Sequence, residues 1–273
     1  WSWGSDGVCD DIPYAKKIPE KAVIKAWPTL EKNGLIFVWQ DPEGNVPIPE
    51  QEPERQEDCY SGEWTNWQMA AIPIKSLGRE LVDNMADMAH FGPIHYSKVK
   101  SFRNTMEGHK FVQYMVGGHQ ILTEGDGALI TSVATYEGPA YMTTTMTGLM
   151  DGHPMTTHLL VSHIPVDMEN FIINFGVMMK KDPNISEAGN KAMVEEYTEK
   201  NIESFHQDVA IWNNKCIIDN PLMCDGDGPV HMVRKWYSQF MTDVADIQDD
   251  QVRARQHVTV EGPSVEEVIA AMA

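Results

Sequence analysis

The amino-acid sequence predicts an α+β protein, on two observations. From about residue 110 to residue 179, short segments rich in β-branched and aromatic residues alternate with Gly-containing turns, the pattern of an antiparallel meander with one buried face. A long stretch, roughly Ser186 to Asn214, then has the apolar spacing of a single helix. A run of strands followed by helix is typical of the α+β class. The predicted strands are Lys110–Val116, Ala128–Tyr136, Tyr141–Thr147, Thr156–Ile164 and Phe171–Met179.

Charge and composition exclude several classes of function. The 273 residues carry a net charge of −19, and 42% of them are hydrophobic, enough for a sizeable core. Such an acidic chain is unsuited to nucleic acid or to an anionic membrane surface. No apolar run approaches the roughly 18 residues of a membrane span. The four cysteines contain no Cys-x-x-Cys pair, which predicts a reducing, cytoplasmic setting without disulfides or a zinc finger.

The chain is predicted to have two domains joined by a linker. Residues 1–47 include a strand-like segment, Leu35–Trp39, that is followed by an Asp-Pro-Glu-Gly turn. Residues 48–62 are rich in Pro, Glu and Gln, a composition typical of linkers. Residues 63–273 hold the predicted sheet and long helix, so the chemistry is expected there.

A short segment, Asp83 to Tyr96, concentrates the candidate functional residues. Ser76–His90 has helical apolar spacing, and Asn84, Asp87 and His90 follow one another at intervals of three on one face. His95 lies five residues after His90, a rotation of about 140° on an unbroken helix. We therefore expect Pro93 to break or kink the helix, so that His95 turns back toward His90.

Two histidines and a carboxylate predict a metal site. Imidazoles alone suit Fe(II), Zn(II) or Cu(II), whereas two imidazoles with one carboxylate form the facial triad of non-haem Fe(II) oxygenases. Asp208 on the long helix is the best candidate for that carboxylate, since a charge within an apolar helix face needs a partner. The plainer alternative is a pair of structural histidines, with Asp87 and His90 joined only by a surface hydrogen bond.

Three stretches of sequence resemble a known family. Asp87-Met-Ala-His90-Phe-Gly-Pro-Ile-His95 matches the D-x-x-H-x-x-x-x-H iron motif of Rieske non-haem iron oxygenases. Residues 84–91, Asp208–Lys215 and Arg234–Phe240 are similar to the oxygenase components of 3-ketosteroid 9α-monooxygenases within that family. The resemblance extends over nearly the whole chain.

The resemblance implies a role for each site residue. His90, His95 and Asp208 would bind Fe(II), and Asn84 would be a polar neighbour of the iron. Asp87 would bridge an iron-ligating histidine of its own subunit and a cluster-ligating histidine of the next. The 63–273 domain would have the helix-grip fold, in which a curved antiparallel sheet surrounds a long helix.

The resemblance also assigns the N-terminal domain and the partners. Residues 1–47 would be the C-terminal remnant of a Rieske domain whose [2Fe–2S] ligands lie upstream of Trp1, so the chain is expected to be a fragment. The substrate would be a 3-ketosteroid, hydroxylated at the 9α position with O₂. Electrons would come from NADH through a flavin and iron–sulfur reductase, and the assembly would be a homotrimer.

Three alternatives remain open at this stage. The chain could act on another apolar or aromatic substrate within the same family. It could be a helix-grip lipid-binding module without catalysis, which would hold no stoichiometric iron. Zinc hydrolysis, with Asp87 as general base beside an open zinc site, is the most distant alternative, because the surrounding sequence resembles the iron oxygenase family.

Overall fold

The computed structural model describes residues 1–119, 121–123, 128–150 and 152–272. The chain divides into two compact units, residues 1–56 and residues 57–273. The first unit contains two small antiparallel hairpins and a little apolar cluster. Its strands are β1 (Ser2–Trp3), β2 (Cys9–Asp11), β3 (Thr29–Lys32) and β4 (Leu35–Val38).

The β3–β4 hairpin has the turn its sequence requires. Asn33 and Gly34 have φ values of 56° and 73°, and the Asn-Gly pair is the preferred one for such two-residue turns. The Asn33 side chain donates to the Glu54 carbonyl at 2.8 Å and accepts from the Gln56 N–H at 2.9 Å. The first part of the predicted 48–62 linker is therefore hydrogen-bonded to the first unit.

The second unit is built on an eight-stranded antiparallel sheet. Its strands are β5 (Gln68–Ile74), β6 (Val99–Glu107), β7 (Lys110–Gly117), β8 (Ile130–Glu137), β9 (Tyr141–Met150), β10 (His153–Pro165), β11 (Phe171–Met179) and β12 (Arg255–Val260). The strand order is β12-β6-β7-β8-β9-β10-β11-β5. The sequence missed β6 and β12, because charged and amide side chains interrupt their apolar alternation.

The long helix α3 (Glu187–Trp212) packs against β5 and β11. Ser186 caps it by accepting a hydrogen bond from the Gly189 N–H at 3.1 Å. Its buried face has more polar residues than expected, because Asn201 and Ser204 lie on it in addition to the predicted Asp208. The α+β prediction is confirmed by this sheet and helix.

Two short helices replace the single helix predicted for Ser76–His90. Helix α1 (Gly78–Asn84) ends six residues before His90, and α2 (Phe91–His95) begins directly after it. The chain therefore breaks earlier than expected. Pro93 lies in the first turn of α2, where a missing N–H breaks no helical hydrogen bond.

Three further helices complete the second unit, and the last of them packs against β7, β8 and β9. They are α4 (Val230–Tyr237), α5 (Asp249–Val252) and α6 (Val265–Met272), with 3₁₀ turns at Pro49–Gln51, Glu57–Cys59, Ser238–Met241 and Val244–Asp246. Ser264 and Glu267 form a reciprocal capping pair at the start of α6. Among the described residues, no helix has both the length and the apolar character to cross a bilayer.

Candidate metal centre

The structure brings His90, His95 and Asp208 together from three elements. Their potential ligand atoms all lie within 4.8 Å of one another. His95 Nε2 is 3.2 Å from Asp208 Oδ2, and His90 Nε2 is 4.0 Å from Asp208 Oδ1. Two ligands at right angles around a metal, each about 2.1 Å from it, would be about 3 Å apart. The His95–Asp208 distance has this spacing, and the His90–Asp208 distance is about 1 Å longer.

Both imidazoles are held with Nε2 toward this centre. His90 Nδ1 is 2.6 Å from the backbone carbonyl oxygen of Asp87, and His95 Nδ1 is 2.9 Å from the amide oxygen of Gln207. Since both partners are acceptors, each Nδ1 carries the proton and donates it. Each Nε2 therefore points to the centre, where a metal ion would take the place of a proton.

The break between α1 and α2 is fixed by side chains from the sheet. The carbonyl oxygen of Met85, just past the end of α1, accepts hydrogen bonds from Asn104 Nδ2 at 3.1 Å and Gln113 Nε2 at 2.8 Å. These bonds satisfy an acceptor that the helix itself leaves unpaired. Gly228 packs so closely on the other side of this turn that an added Cβ would lie 2.0 Å from the Ala86 carbonyl oxygen.

The return of His95 depends on the end of α2. Tyr96, which follows the helix, has a left-handed backbone with φ of 50°. Its N–H donates to the Phe91 carbonyl, and so does the N–H of Ser97. This αL ending reverses the chain, and it leaves the side chain of His95 buried beside Asp208.

Asp87 contacts His90 in a different way from the one expected. Its main-chain carbonyl, rather than its carboxylate, binds the imidazole N–H. Carboxylate Oδ1 accepts from the backbone N–H of His90 at 3.3 Å, and Oδ2 is 3.7 Å from Nδ1. The carboxylate is 42% exposed, so it is accessible from outside the centre. The bridging role stays a prediction.

Asn84 lies beside the candidate ligand atom of His90, and its role as a polar neighbour of the iron stays a prediction. Its Nδ2 is 3.4 Å from His90 Nε2. A metal ion on Nε2 would take the lone pair that this amide now contacts, so Asn84 is placed as a neighbour and not as a ligand.

The two imidazoles differ in electrostatics. Burial lowers the pKa of His90 below its ordinary value, and the negative charges of Asp208 and Asp87 offset this only in part. Burial also acts to lower the pKa of His95, but the hydrogen bond and charge of Asp208 outweigh it, so that pKa is raised. Asp208 therefore interacts more strongly with His95 than with His90, in agreement with the shorter distance between their atoms.

A cavity of about 280 Å³ adjoins His90 and Asp208, and its lining combines charged side chains with apolar ones such as Trp212 and Met223. On its wall Arg234 Nη2 is 2.7 Å from Asp83 Oδ2, and Lys215 Nζ is 2.5 Å from Glu80 Oε2. Glu80 is only 1% exposed, so its charge needs this partner. Burial raises the pKa of Asp83, although the hydrogen bond and charge of Arg234 oppose the shift. The sequence analysis identified none of these ion pairs.

Sequence reasoning also missed two residues that contact His95. Gln207 adjoins Asp208 in the sequence, and its amide holds the His95 ring. His119 stacks on the same ring, with centroids 5.2 Å apart and planes inclined by 27°. The position of Gln207 beside a candidate ligand was a usable signal. Nothing in the spacing of His119 connects it to the motif, because it follows a strand 24 residues after His95.

Comparisons with known proteins identify the family of the chain. The family model for the 3-ketosteroid 9α-hydroxylase C-terminal domain matches residues 38–241. A Rhodococcus rhodochrous oxygenase component of 3-ketosteroid-9-alpha-monooxygenase is 42% identical over 260 residues, covering 93% of this chain and 67% of the relative. A Mycobacterium tuberculosis protein of the same name is 37% identical, covering 92% and 67%. The chain thus spans about two thirds of these relatives.

Solved structures support the fold at much lower identity. Pseudomonas putida NdmB has a TM-score of 0.65 at 14% identity, covering 94% of this chain and 74% of that one. Dicamba monooxygenase bound to dicamba has a TM-score of 0.60 at 13% identity, covering 87% and 76%. At such identities the likeness concerns the fold alone. The family match over most of the length and the relatives' identity show that the chain belongs to the 3-ketosteroid 9α-hydroxylase family.

Proposed function

We propose that this chain binds Fe(II) through His90, His95 and Asp208 and is the catalytic part of an oxygenase component that hydroxylates a 3-ketosteroid at the 9α position. The convergence of two imidazole Nε2 atoms and one carboxylate carries the proposal. Membership of the family supports the substrate class, because its relatives are named oxygenase components of 3-ketosteroid-9-alpha-monooxygenase.

The donor set fits iron. Asp208 is 5% exposed and lies between two imidazoles, so a bound cation would compensate a carboxylate that is costly to bury alone. Bound Fe(II) with three protein ligands would keep open positions and supply the reduction of O₂ beside the substrate. A helix-grip lipid-binding module would have no need for this buried arrangement, so the geometry favours the enzyme.

The chain's own residues would prepare the site before the substrate arrives. The carbonyl of Asp87 and the amide of Gln207 fix the two imidazole planes, which reduces the reorganisation needed on metal binding. Hydroxylation of a C–H bond with O₂ consumes two electrons and two protons and yields the alcohol and water. The reaction needs no side-chain nucleophile.

The electron route is also part of the proposal. Electrons from NADH would pass through a flavin and iron–sulfur reductase to a Rieske [2Fe–2S] cluster of the full-length protein. They would then cross to the iron within a homotrimer. The exposed carboxylate of Asp87, next to a candidate ligand, is suited to the last contact in this route.

Iron analysis and product analysis together test the proposal. Anaerobically prepared protein should contain about one mononuclear iron per chain, and His95→Ala should lose it. The complete protein with its reductase should then convert a 3-ketosteroid to the 9α-hydroxy product. Iron-free protein that still binds an apolar ligand would overturn the proposal in favour of the lipid-binding module. Turnover of small arenes but not steroids would overturn the substrate class.

A further inference from the structure

Asp-Gly and Asn-Gly pairs are the places in a protein chain where the backbone rearranges most readily by itself. Glycine has no side chain to shield its peptide nitrogen, so this nitrogen can attack the side-chain carbonyl carbon of the preceding residue. The sequence contains six such pairs: Asp6–Gly7, Asn33–Gly34, Asp126–Gly127, Asp151–Gly152, Asp225–Gly226 and Asp227–Gly228. The third and fourth pairs include residues outside the described ranges, so four pairs can be compared.

Three of the four pairs are held by contacts that oppose the reaction. The Asn33 side chain is buried, and it is hydrogen-bonded through both its nitrogen and its oxygen. The N–H of Gly7, which is the attacking group of its pair, donates to the Gly4 carbonyl at 2.9 Å. The Asp227 carboxylate accepts from the Cys224 N–H at 2.7 Å. Each of these groups must leave its partner before it reacts, which raises the barrier.

Asp225–Gly226 is the exception among the described pairs. Asp225 is exposed, and within the described residues neither its carboxylate nor the Gly226 N–H has a hydrogen-bond partner. An added Cβ on Gly226 would meet nothing within 4 Å, so no neighbouring group blocks the approach of the nitrogen to the carboxyl carbon. The two residues occupy the centre of a turn that closes from the Asp227 N–H to the Cys224 carbonyl at 3.2 Å.

We propose that Asp225 is a site of spontaneous isomerisation to isoaspartate, and that this modification weakens the metal centre. The Gly226 nitrogen forms a bond to the side-chain carboxyl carbon of Asp225. The protonated carboxyl loses its hydroxyl group, which leaves as water with the proton of the nitrogen, and a succinimide ring results. Water then opens the ring at the main-chain carbonyl, so that the chain runs through the former side-chain carbonyl. Nothing is oxidised or reduced, and the final mass is unchanged.

The position of Asp225 in the chain connects the modification to the centre. Isoaspartate adds one carbon atom to the main chain of the turn, so the turn changes shape and displaces the residues that follow it. Gly228 is one of these, and it packs so closely that an added Cβ would lie 2.0 Å from the Ala86 carbonyl oxygen. Its displacement disturbs the turn in which the Asp87 carbonyl orients the His90 ring. This second part of the inference rests on the metal site proposed above.

The test incubates folded wild-type protein for several weeks at neutral pH and physiological temperature. Peptide mapping by mass spectrometry then measures isoaspartate at each of the six pairs. Wild-type protein that is digested before the incubation gives the rates without the fold. Asp225→Glu is the matched control, because it keeps the negative charge but its longer side chain forms no succinimide. Gly226→Ala is a second control, since its methyl group has room and shields the attacking nitrogen.

The effect on the centre is measured by anaerobic Fe(II) titration of fresh and incubated samples. Incubated wild type is titrated again after repair with protein isoaspartate methyltransferase and S-adenosylmethionine, which converts isoaspartate back to aspartate. We expect the modified fraction of wild type to bind Fe(II) about 10-fold more weakly than fresh protein, as after the loss of a partner of a metal ligand. Repair should restore the affinity, and incubation should leave that of Asp225→Glu unchanged.

The two parts of the inference have separate outcomes. In the folded protein, isoaspartate should accumulate several times faster at Asp225 than at Asp6 or Asp227, whereas the digested protein should show similar rates at all three. Folded protein with no such excess at Asp225 would overturn the modification site. An excess without a change in Fe(II) affinity would overturn its effect on the centre. Fresh wild-type protein that binds no Fe(II) would contradict the proposed metal site, and peptide mapping would still decide the first part.

Discussion

The two histidines of the candidate centre are held by different kinds of contact. His90 is oriented locally, by the main-chain carbonyl of the residue three positions before it. His95 is oriented by partners distant in the sequence, Gln207 and Asp208 on α3 and the ring of His119. Local contacts are specified by the motif itself, whereas the tertiary ones require the sheet and α3 to assemble first.

The comparison predicts where each side of the centre is vulnerable. We expect iron binding through His90 to be lost when the shape of its turn is disturbed, because no side chain can replace the displaced Asp87 carbonyl. Iron binding through His95 should weaken by a moderate amount with each single side-chain change around it. The predictions below test this difference, from the largest expected effect to the smallest.

Gly228→Ala should have the largest effect, because it disturbs the turn that carries His90. Gly228 has φ of 86°, and its added Cβ would lie 2.0 Å from the Ala86 carbonyl oxygen. Left-handed strain and displacement of the turn together should lower the free energy of unfolding by about 3 kcal/mol and abolish iron binding. Denaturant unfolding and iron analysis measure the two effects.

Gly226→Ala is the control, since an added Cβ there meets nothing within 4 Å. It should leave unfolding and iron content near wild type. Equal behaviour of the two alanine variants would mean that close packing on the turn does not hold His90.

A third buried histidine, with neither a carbonyl nor a carboxylate partner, extends the comparison. Burial lowers the pKa of His163 to about 4. Below the ordinary histidine pKa of about 6.5, His163 is protonated in the unfolded chain but stays neutral in the folded chain. The free energy of unfolding therefore falls as the pH falls toward 4. Between pH 7 and pH 5, the neutral His163 should lower the free energy of unfolding by about 2 kcal/mol.

The measurement is urea unfolding of wild type and His163→Phe at both pH values. The variant should lose stability less steeply on acidification than wild type. Parallel pH profiles would show that His163 takes up a proton as readily in the folded protein as in the unfolded chain.

Gln207→Leu tests the side-chain support of His95. Removing the acceptor for Nδ1–H should weaken iron binding about 10-fold, with little change in unfolding. Gln207→Glu keeps an acceptor at this position and should retain affinity. Anaerobic metal titration of wild type and the two variants distinguishes these outcomes. A Leu variant with wild-type iron affinity would show that Gln207 does not support His95 as a ligand.

Asp87→Ala should have the smallest effect on iron affinity. The main-chain carbonyl that binds His90 remains in the variant, so iron affinity should change less than about 3-fold, below the usual cost of losing a partner of a metal ligand. Coupled steroid hydroxylation should nevertheless disappear in the complete protein, because the exposed carboxylate is proposed to carry the electron contact. Near-normal hydroxylation by this variant would contradict the proposed bridging role of Asp87.

The parts predicted from sequence are those with local signals. The long helix of roughly Ser186 to Asn214 and the strands from Lys110 to Met179 follow from periodicity and turn residues. The candidate ligands came from a histidine motif at fixed spacing and from a carboxylate within an apolar helix face, and the resemblance then assigned all three to one iron.

The parts that could not be predicted depend on contacts across the fold. The helix break came earlier than Pro93 because Asn104 and Gln113, on two strands of the sheet, bind the Met85 carbonyl. No local propensity in residues 76–90 encodes those bonds. His119 was missed for the same reason, since only the folded sheet brings it to His95.

The central claim is that one Fe(II) ion binds His90 and His95 through Nε2 and Asp208 through its carboxylate. Anomalous diffraction at the iron edge, from crystals of anaerobically loaded protein, tests it most directly. The account predicts a single peak about 2.1 Å from each Nε2 atom and from an Asp208 oxygen. A peak bound to other side chains, or none in crystals that retain the folded site, would contradict it.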